Sequence, residues 1–250
     1  MRDDLFISQI RLREPVPSDD YPGCLPVVKN LYEMGKLEFH SPVTFFVGEN
    51  GIGKSTLIEA IAVSMGFNPE GGTLNFHFST QDSHSELYRY LAVGKTAKRR
   101  KDGFFLRAES FYNVASYVDS ISGLVRYYGG KSLHHQSHGE SFLSLVESRF
   151  GGNGIYILDE PEAALSPNRL MRLMVLMDEL VKNNSQFIIS THSPILMSFP
   201  NAEIYELTEE SIVSVPYQST DHFQITRQFV NHPERMIRYL LGDDEDEEKM

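Results

Sequence analysis

Apolar and polar residues alternate from Leu5 to Arg13, with Leu5, Ile7, Ile10 and Leu12 on the apolar side, which predicts an early strand. Glu14 to Pro26 holds four prolines and a glycine and reads as loop. Val27–Leu31 and Lys36–Phe39 predict a second pair of strands, and the unbroken run Val43-Thr44-Phe45-Phe46-Val47 a buried one. The period then becomes helical through Thr56-Leu57-Ile58-Glu59-Ala60-Ile61-Ala62. Gly71-Gly72 opens a β-rich stretch, Thr73 to Phe78, and Phe104 to about Ser110 resumes a buried strand followed by a helix over Phe111–Ser120. Ile155–Leu158 and Phe187–Thr191 are two more apolar runs, separated by a helix over Pro167–Val181. Strands alternating with helices predict an α/β fold.

Between the strand at Val43–Val47 and the helix after it lies Gly48-Glu49-Asn50-Gly51-Ile52-Gly53-Lys54-Ser55, which fits G-x-x-x-x-G-K-[ST]. Glycines let consecutive backbone N–H groups converge on one point, and the helix N-terminus adds partial positive charge, so a polyphosphate can dock there. Lys54 is the candidate for the β/γ-phosphates and the Ser55 hydroxyl for Mg²⁺; Asn50, Gly51, Ile52, Gly53 and Thr56 complete the candidate nucleotide-binding set.

Both later apolar runs end in polar chemistry. Ile155–Leu158 ends at Asp159-Glu160-Pro161, at the strand end where α/β sheets place their chemistry. Asp159 is the candidate Mg²⁺ ligand and Glu160 the candidate general base for an attacking water. Phe187–Thr191 ends at His192, 33 residues beyond Asp159, a candidate to contact a γ-phosphate.

Composition narrows the setting. A net charge of −11 disfavours a general nucleic-acid coat, although Lys95, Lys98, Arg99, Arg100 and Lys101 form a local basic segment, expected to be a solvated hairpin loop. Cys24 stands alone, so no internal disulfide is expected. No segment approaches 18 uncharged apolar residues and the N-terminus lacks a secretory pattern, so a cytoplasmic protein without membrane insertion is expected. Asp243 to Glu248 is wholly acidic and is expected to be a disordered tail over 243–250, after a single domain over 1–242.

The phosphate loop, Asp159-Glu160-Pro161 and His192 resemble the Walker A, Walker B and switch-histidine elements of ABC-type ATPases. That family's signature, Leu-Ser-Gly-Gly-Gln, resembles Gln136-Ser137-His138-Gly139-Glu140, 22 residues before Asp159 counted from Ser137. His138 replaces the first family glycine, while Ser137 and Gly139 keep the phosphate-contacting positions; a helix is expected over Ser141–Arg149. Ala163-Ala164-Leu165-Ser166 is similar to the D-loop, with Ser166 in place of aspartate. For the Q-loop, Glu109 follows the strand ending near Arg107, and Gln81 is the alternative. His134, His135 and His138 surround the signature, and a loop without metal is favoured there.

The resemblance implies a P-loop NTPase fold: a mostly parallel core sheet with helices on both faces, an antiparallel β subdomain and a short helical lobe at about 110–140. It implies ATP and Mg²⁺ as cofactors, hydrolysis to ADP and phosphate, and a homodimer formed head to tail on ATP binding. Within the family, the lobe is small for a transporter subunit, and there is no room for long coiled-coil arms or a nuclease domain. The chain is most similar to small stand-alone ATPases related to the RecF and structural-maintenance-of-chromosomes branch. DNA or an unidentified protein remains a possible partner in repair or defence. The alternatives are a nucleotide-dependent switch for a protein partner and the cytoplasmic ATPase subunit of a transporter.

Overall fold

In a computed structural model, residues 5–73, 85–109, 111–121, 123, 125–127, 130 and 132–242 are described. The chain opens with β1 (Ile7–Leu12), α1 (Tyr21–Cys24), α2 (Pro26–Met34), β2 (Leu37–Glu38), β3 (Val43–Val47) and α3 (Lys54–Ser64). Next come α4 (Leu87–Tyr90), β4 (Leu91–Lys95), β5 (Asp102–Arg107), α5 (Phe111–Ser120) and α6 (His138–Arg149). The remainder is β6 (Gly154–Asp159), α7 (Pro167–Lys182), β7 (Gln186–Ser190), α8 (Pro194–Met197), β8 (Glu203–Leu207), β9 (Ile212–Ser214), α9 (Asp221–Asn231) and α10 (Pro233–Leu241).

Six strands form one sheet in the order β5-β6-β7-β3-β8-β9. Pairing is parallel from β5 to β8, and β9 adds an antiparallel edge. Its strands read as unbroken apolar runs because both faces are covered. Alternate residues go to opposite sides: Phe105, Ile155, Ile157, Ile188 and Phe46 join the core beneath α2 and α3, whereas Phe104, Tyr156, Leu158, Phe187 and Phe45 join the core beneath α5, α6 and α7. A second, antiparallel sheet has the order β2-β1-β4. Gln186, fully buried at the start of β7, ties β1 to the main sheet: its Oε1 accepts from the Phe6 and Ile7 N–H groups at 2.8 and 2.9 Å, and its Nε2 donates to the Ile7 carbonyl at 2.9 Å. The parallel core and the antiparallel sheet are as the sequence predicts.

Several local expectations are corrected. Val27–Leu31 is helical, not extended, because Pro26 opens α2 with its φ already fixed and Val27, Val28 and Leu31 then bury on one helical face. Loop residues 14–26 contain the short α1. The basic segment is no hairpin: it crosses from β4 in one sheet to β5 in the other. Two of its cations are already engaged, Lys98 Nζ on the Asn184 carbonyl at 3.0 Å and Arg100 Nη2 on the Met65 carbonyl at 2.6 Å. Helix α6 begins three residues earlier than Ser141, since Ser137 and Glu140 cap it reciprocally. Gln81, most of Thr73–Phe78 and the acidic tail lie outside the described residues.

Candidate functional site

Register builds the centre of the site. Parallel pairing sets Arg107 beside Asp159 and Asp159 beside Ser190, and Ser190 in turn beside Phe46 of β3. The C-terminal ends of β5, β6, β7 and β3 therefore form one row, and the phosphate loop leaves β3 at its end. Gly53 N-caps α3 with φ 104°, and a Cβ there would meet Val27 Cγ1 at 2.6 Å, so this turn requires glycine. Lys54 folds back, its Nζ donating to the Gly48 and Glu49 carbonyls at 2.8 and 2.9 Å. Burial lowers the pKa of its ammonium, while Glu160, Asp159 and Glu49 pull the other way.

Ser55 Oγ donates to Asp159 Oδ1 at 3.1 Å, and Ser190 Oγ donates to the same oxygen at 2.5 Å. Arg107, largely buried, places Nη1 2.6 Å from Glu59 Oε2 and Nε 3.4 Å from Asp159 Oδ2. Ser55 and Asp159 offer the hard oxygens that Mg²⁺ prefers, at a place where Asp159 already faces the positive charge of Arg107. The donor set thus fits a divalent cation. Glu109 is 88% exposed and reaches Arg107 Nη2 only at 4.0 Å, so the side chain that pairs with Asp159 is Arg107, at the end of β5, and not Glu109 beyond it.

Glu160 sits in the left-handed region, φ 49° and ψ 54°, a conformation that costs a non-glycine residue energy and recurs at functional turns. Its N–H donates to the Ser190 carbonyl at 3.1 Å. Burial first, and then neighbouring Asp159, raise the pKa of its carboxyl above the usual carboxylate range. His192 Nε2 lies 3.6 Å from Glu160 Oε1, and its Nδ1 lies 2.9 Å from His222 Nε2. Burial and the charge of Lys54 push the His192 pKa down to about 4, which keeps the ring neutral near pH 7.

The loop carrying His192 is clamped by Glu162, which accepts the His192 backbone N–H and whose pKa burial raises. Glu59, Arg107, Glu162 and His222 were not among the sequence candidates. Only Glu162, inside the Glu-Pro-Glu stretch, carried a local signal; the other three act through partners distant in sequence.

The phosphate loop, Asp159, Glu160 and His192 are thus brought together, while Ser137 stands at the N-terminus of α6. Ser137 is its N-cap, with Oγ donating to Glu140 Oε2 at 2.7 Å. Gly139 packs on α7: a Cβ there would meet Arg169 Nη1 at 2.6 Å and the Ala164 carbonyl at 3.0 Å. His134 and His138 line a cleft with Glu109, Tyr112 and Ala163, and no group of three or more His, Cys, Asp or Glu side chains that could hold a metal ion occurs among the described residues. Nor is any helix there long and apolar enough to cross a membrane.

Two family models match stretches of the chain. Residues 30–117 match a family described as "AAA domain", and residues 140–198 one described as "AAA domain, putative AbiEii toxin, Type IV TA system". No curated protein matches the sequence. Among solved structures, the SMC head domain from Thermotoga maritima is similar at 17% identity and TM-score 0.45, over 85% of this chain and 99% of that one. CbiO1 from Clostridium perfringens, part of the ABC transporter complex cbiONQ, is similar at 15% identity and TM-score 0.43, over 82% of this chain and 90% of that one. The phosphate loop, the strand-end Asp159-Glu160 and the AAA-domain matches over residues 30–117 and 140–198 support a P-loop ATPase.

Proposed function

We propose that this chain binds ATP with Mg²⁺ and hydrolyses it to ADP and phosphate, in a site that a second copy completes. The observation that carries this reading is the meeting of Ser55 and Asp159 at 3.1 Å, with Glu160 and His192 beside them. The phosphate loop binds the polyphosphate through backbone N–H groups, and Lys54 leaves its two carbonyls to reach the β/γ-phosphates. Ser55 and Asp159 hold Mg²⁺, which neutralises phosphate charge when bound. Glu160 accepts the proton of the attacking water; its raised pKa makes it a better base than an ordinary carboxylate. His192, neutral, donates from Nε2 to the γ-phosphate.

Ser137 and Gly139 supply the second half of the site from the partner copy, the reading favoured by their place on a separate helix end. To bond a phosphate with its N–H, Ser137 must release Glu140 Oε2, which it holds at 3.0 Å. Glu109 and Gln81 stay the candidates for sensing the metal. We take residues 1–242 as one ATPase domain with its small helical lobe at about 110–140. The setting we favour is repair or defence, consistent with the toxin–antitoxin description of the 140–198 match.

Glu160→Gln tests this reading. The variant is expected to keep ATP affinity, to hydrolyse about 10²- to 10⁴-fold more slowly, and to elute as a dimer with Mg-ATP. A monomer at saturating Mg-ATP defeats the composite site, and unchanged turnover defeats the base assignment. Assaying turnover with and without DNA ends tests the repair setting.

A further inference from the structure

His222 belongs to neither the phosphate loop nor the strand ends, yet its Nε2 lies 2.9 Å from Nδ1 of His192. The rings are tilted, with centroids 5.1 Å apart and planes at 54°, and the short nitrogen–nitrogen separation makes the contact a hydrogen bond and not a stack. We propose that His222 is a positioning residue for His192: it donates Nε2–H to His192 Nδ1 and thereby holds the His192 proton on Nε2, facing Glu160 and the phosphate site. The inference rests on the reading of His192 as the γ-phosphate contact.

Proton placement follows from the neighbours. His192 is neutral, so one ring nitrogen carries hydrogen and the other a lone pair. Nε2 lies 3.6 Å from the Glu160 carboxylate, which attracts an N–H and repels a lone pair. With the hydrogen on Nε2, Nδ1 is an acceptor, and the donor across the 2.9 Å gap must be His222 Nε2–H. His222 Nδ1 is then a bare acceptor. The inverse arrangement turns a lone pair on the carboxylate; His222 Nδ1, buried without a hydrogen-bond partner, is unmatched in either case and does not decide between them.

His222 is itself held by its helix. Thr220, fully buried, caps α9: its Oγ1 accepts from the Phe223 N–H at 3.3 Å and donates to the Tyr217 carbonyl at 2.9 Å. Phe223 packs on Tyr217 with ring centroids 4.6 Å apart. The first turn of α9, Asp221 and His222, lines a cleft with Gly48, Glu49, Asn50 and Ile52 of the phosphate loop. An imidazole fixed in this way constrains the orientation of the ring it bonds, as outer-shell partners of metal-bound histidines do.

The test uses the full chain, with His222→Phe to keep an aromatic ring without a donor and His222→Gln to keep an N–H of similar reach. Nitrogen-15 histidine spectra of the nucleotide-free protein report the His192 tautomer whether or not ATP is hydrolysed. The wild type should show one Nε2–H tautomer, and His222→Phe a mixture. In steady-state assays kcat should fall about tenfold in His222→Phe with KM for ATP nearly unchanged, and His222→Gln should recover most of the loss. A wild-type His192 protonated on Nδ1 overturns the proposal even if no variant folds. So does His222→Phe with wild-type kcat. If the wild type hydrolyses no ATP while its tautomer depends on His222, the positioning role stands and the hydrolytic reading fails.

Discussion

Ser55 Oγ donates to Asp159 Oδ1 at 3.1 Å across 104 residues of sequence. A hydroxyl at the start of α3 and a carboxylate at the end of β6 share one point because β7 lies between β6 and β3 and brings Ser190 to the same oxygen.

That point should be where metal dependence arises. In Asp159→Asn, ATP affinity with Mg²⁺ should fall to roughly its value in EDTA, whereas the wild type should bind ATP at least about tenfold more tightly with Mg²⁺ than without. Titration calorimetry in both buffers measures the difference. An unchanged Mg²⁺ advantage in the variant removes Asp159 from the metal.

Arg107 pairs with both Glu59 and Asp159, so removing it leaves two buried carboxylates without their cation. Arg107→Met should cost about 3 kcal/mol of stability in urea unfolding without nucleotide. Mg-ATP should restore part of that loss, because a divalent cation at Ser55 and Asp159 supplies positive charge again. Equal losses with and without Mg-ATP would contradict the shared position.

The pKa of His192 is depressed to about 4, from an ordinary value of 6.5. The unfolded chain takes up its proton first, so this group lowers stability progressively as pH falls from about 6.5 to about 4. Glu160 and Glu162, with raised values, act in the opposite sense above the ordinary carboxylate range. The contribution is therefore read as a difference: thermal unfolding of His192→Gln should lose less stability between pH 7 and pH 5 than the wild type. Parallel curves would place the titration elsewhere.

Gln186→Leu should destabilise the fold by about 3 kcal/mol, since it strands the Phe6 and Ile7 N–H groups and the Ile7 carbonyl in the interior. Chemical denaturation of the two proteins gives the value. A loss below about 1 kcal/mol would mean that β1 is held by the β1–β4 and β1–β2 pairings alone.

Local chemistry made much of the fold legible. β3, β6 and β7 were readable because strands buried on both faces must be apolar throughout, and each is bounded by a change of pattern. Helix α2 was misread because a short run of β-branched and apolar residues fits strand and helix alike, and Pro26 decides only in context. The basic segment was misread because sequence adjacency of β4 and β5 suggests a hairpin, whereas their partners lie in different sheets.

The site divides along the same line. The phosphate loop, Asp159-Glu160 and His192 could be singled out as candidates from local sequence alone, because backbone convergence, a strand-end carboxylate and a strand-end imidazole are each written in a few consecutive residues. Chain folding, by contrast, sets Arg107 between Asp159 and Glu59 and brings His222 to His192. Those contacts join residues from separate elements, and their distances are fixed by strand order, register and helix docking, which no local pattern encodes.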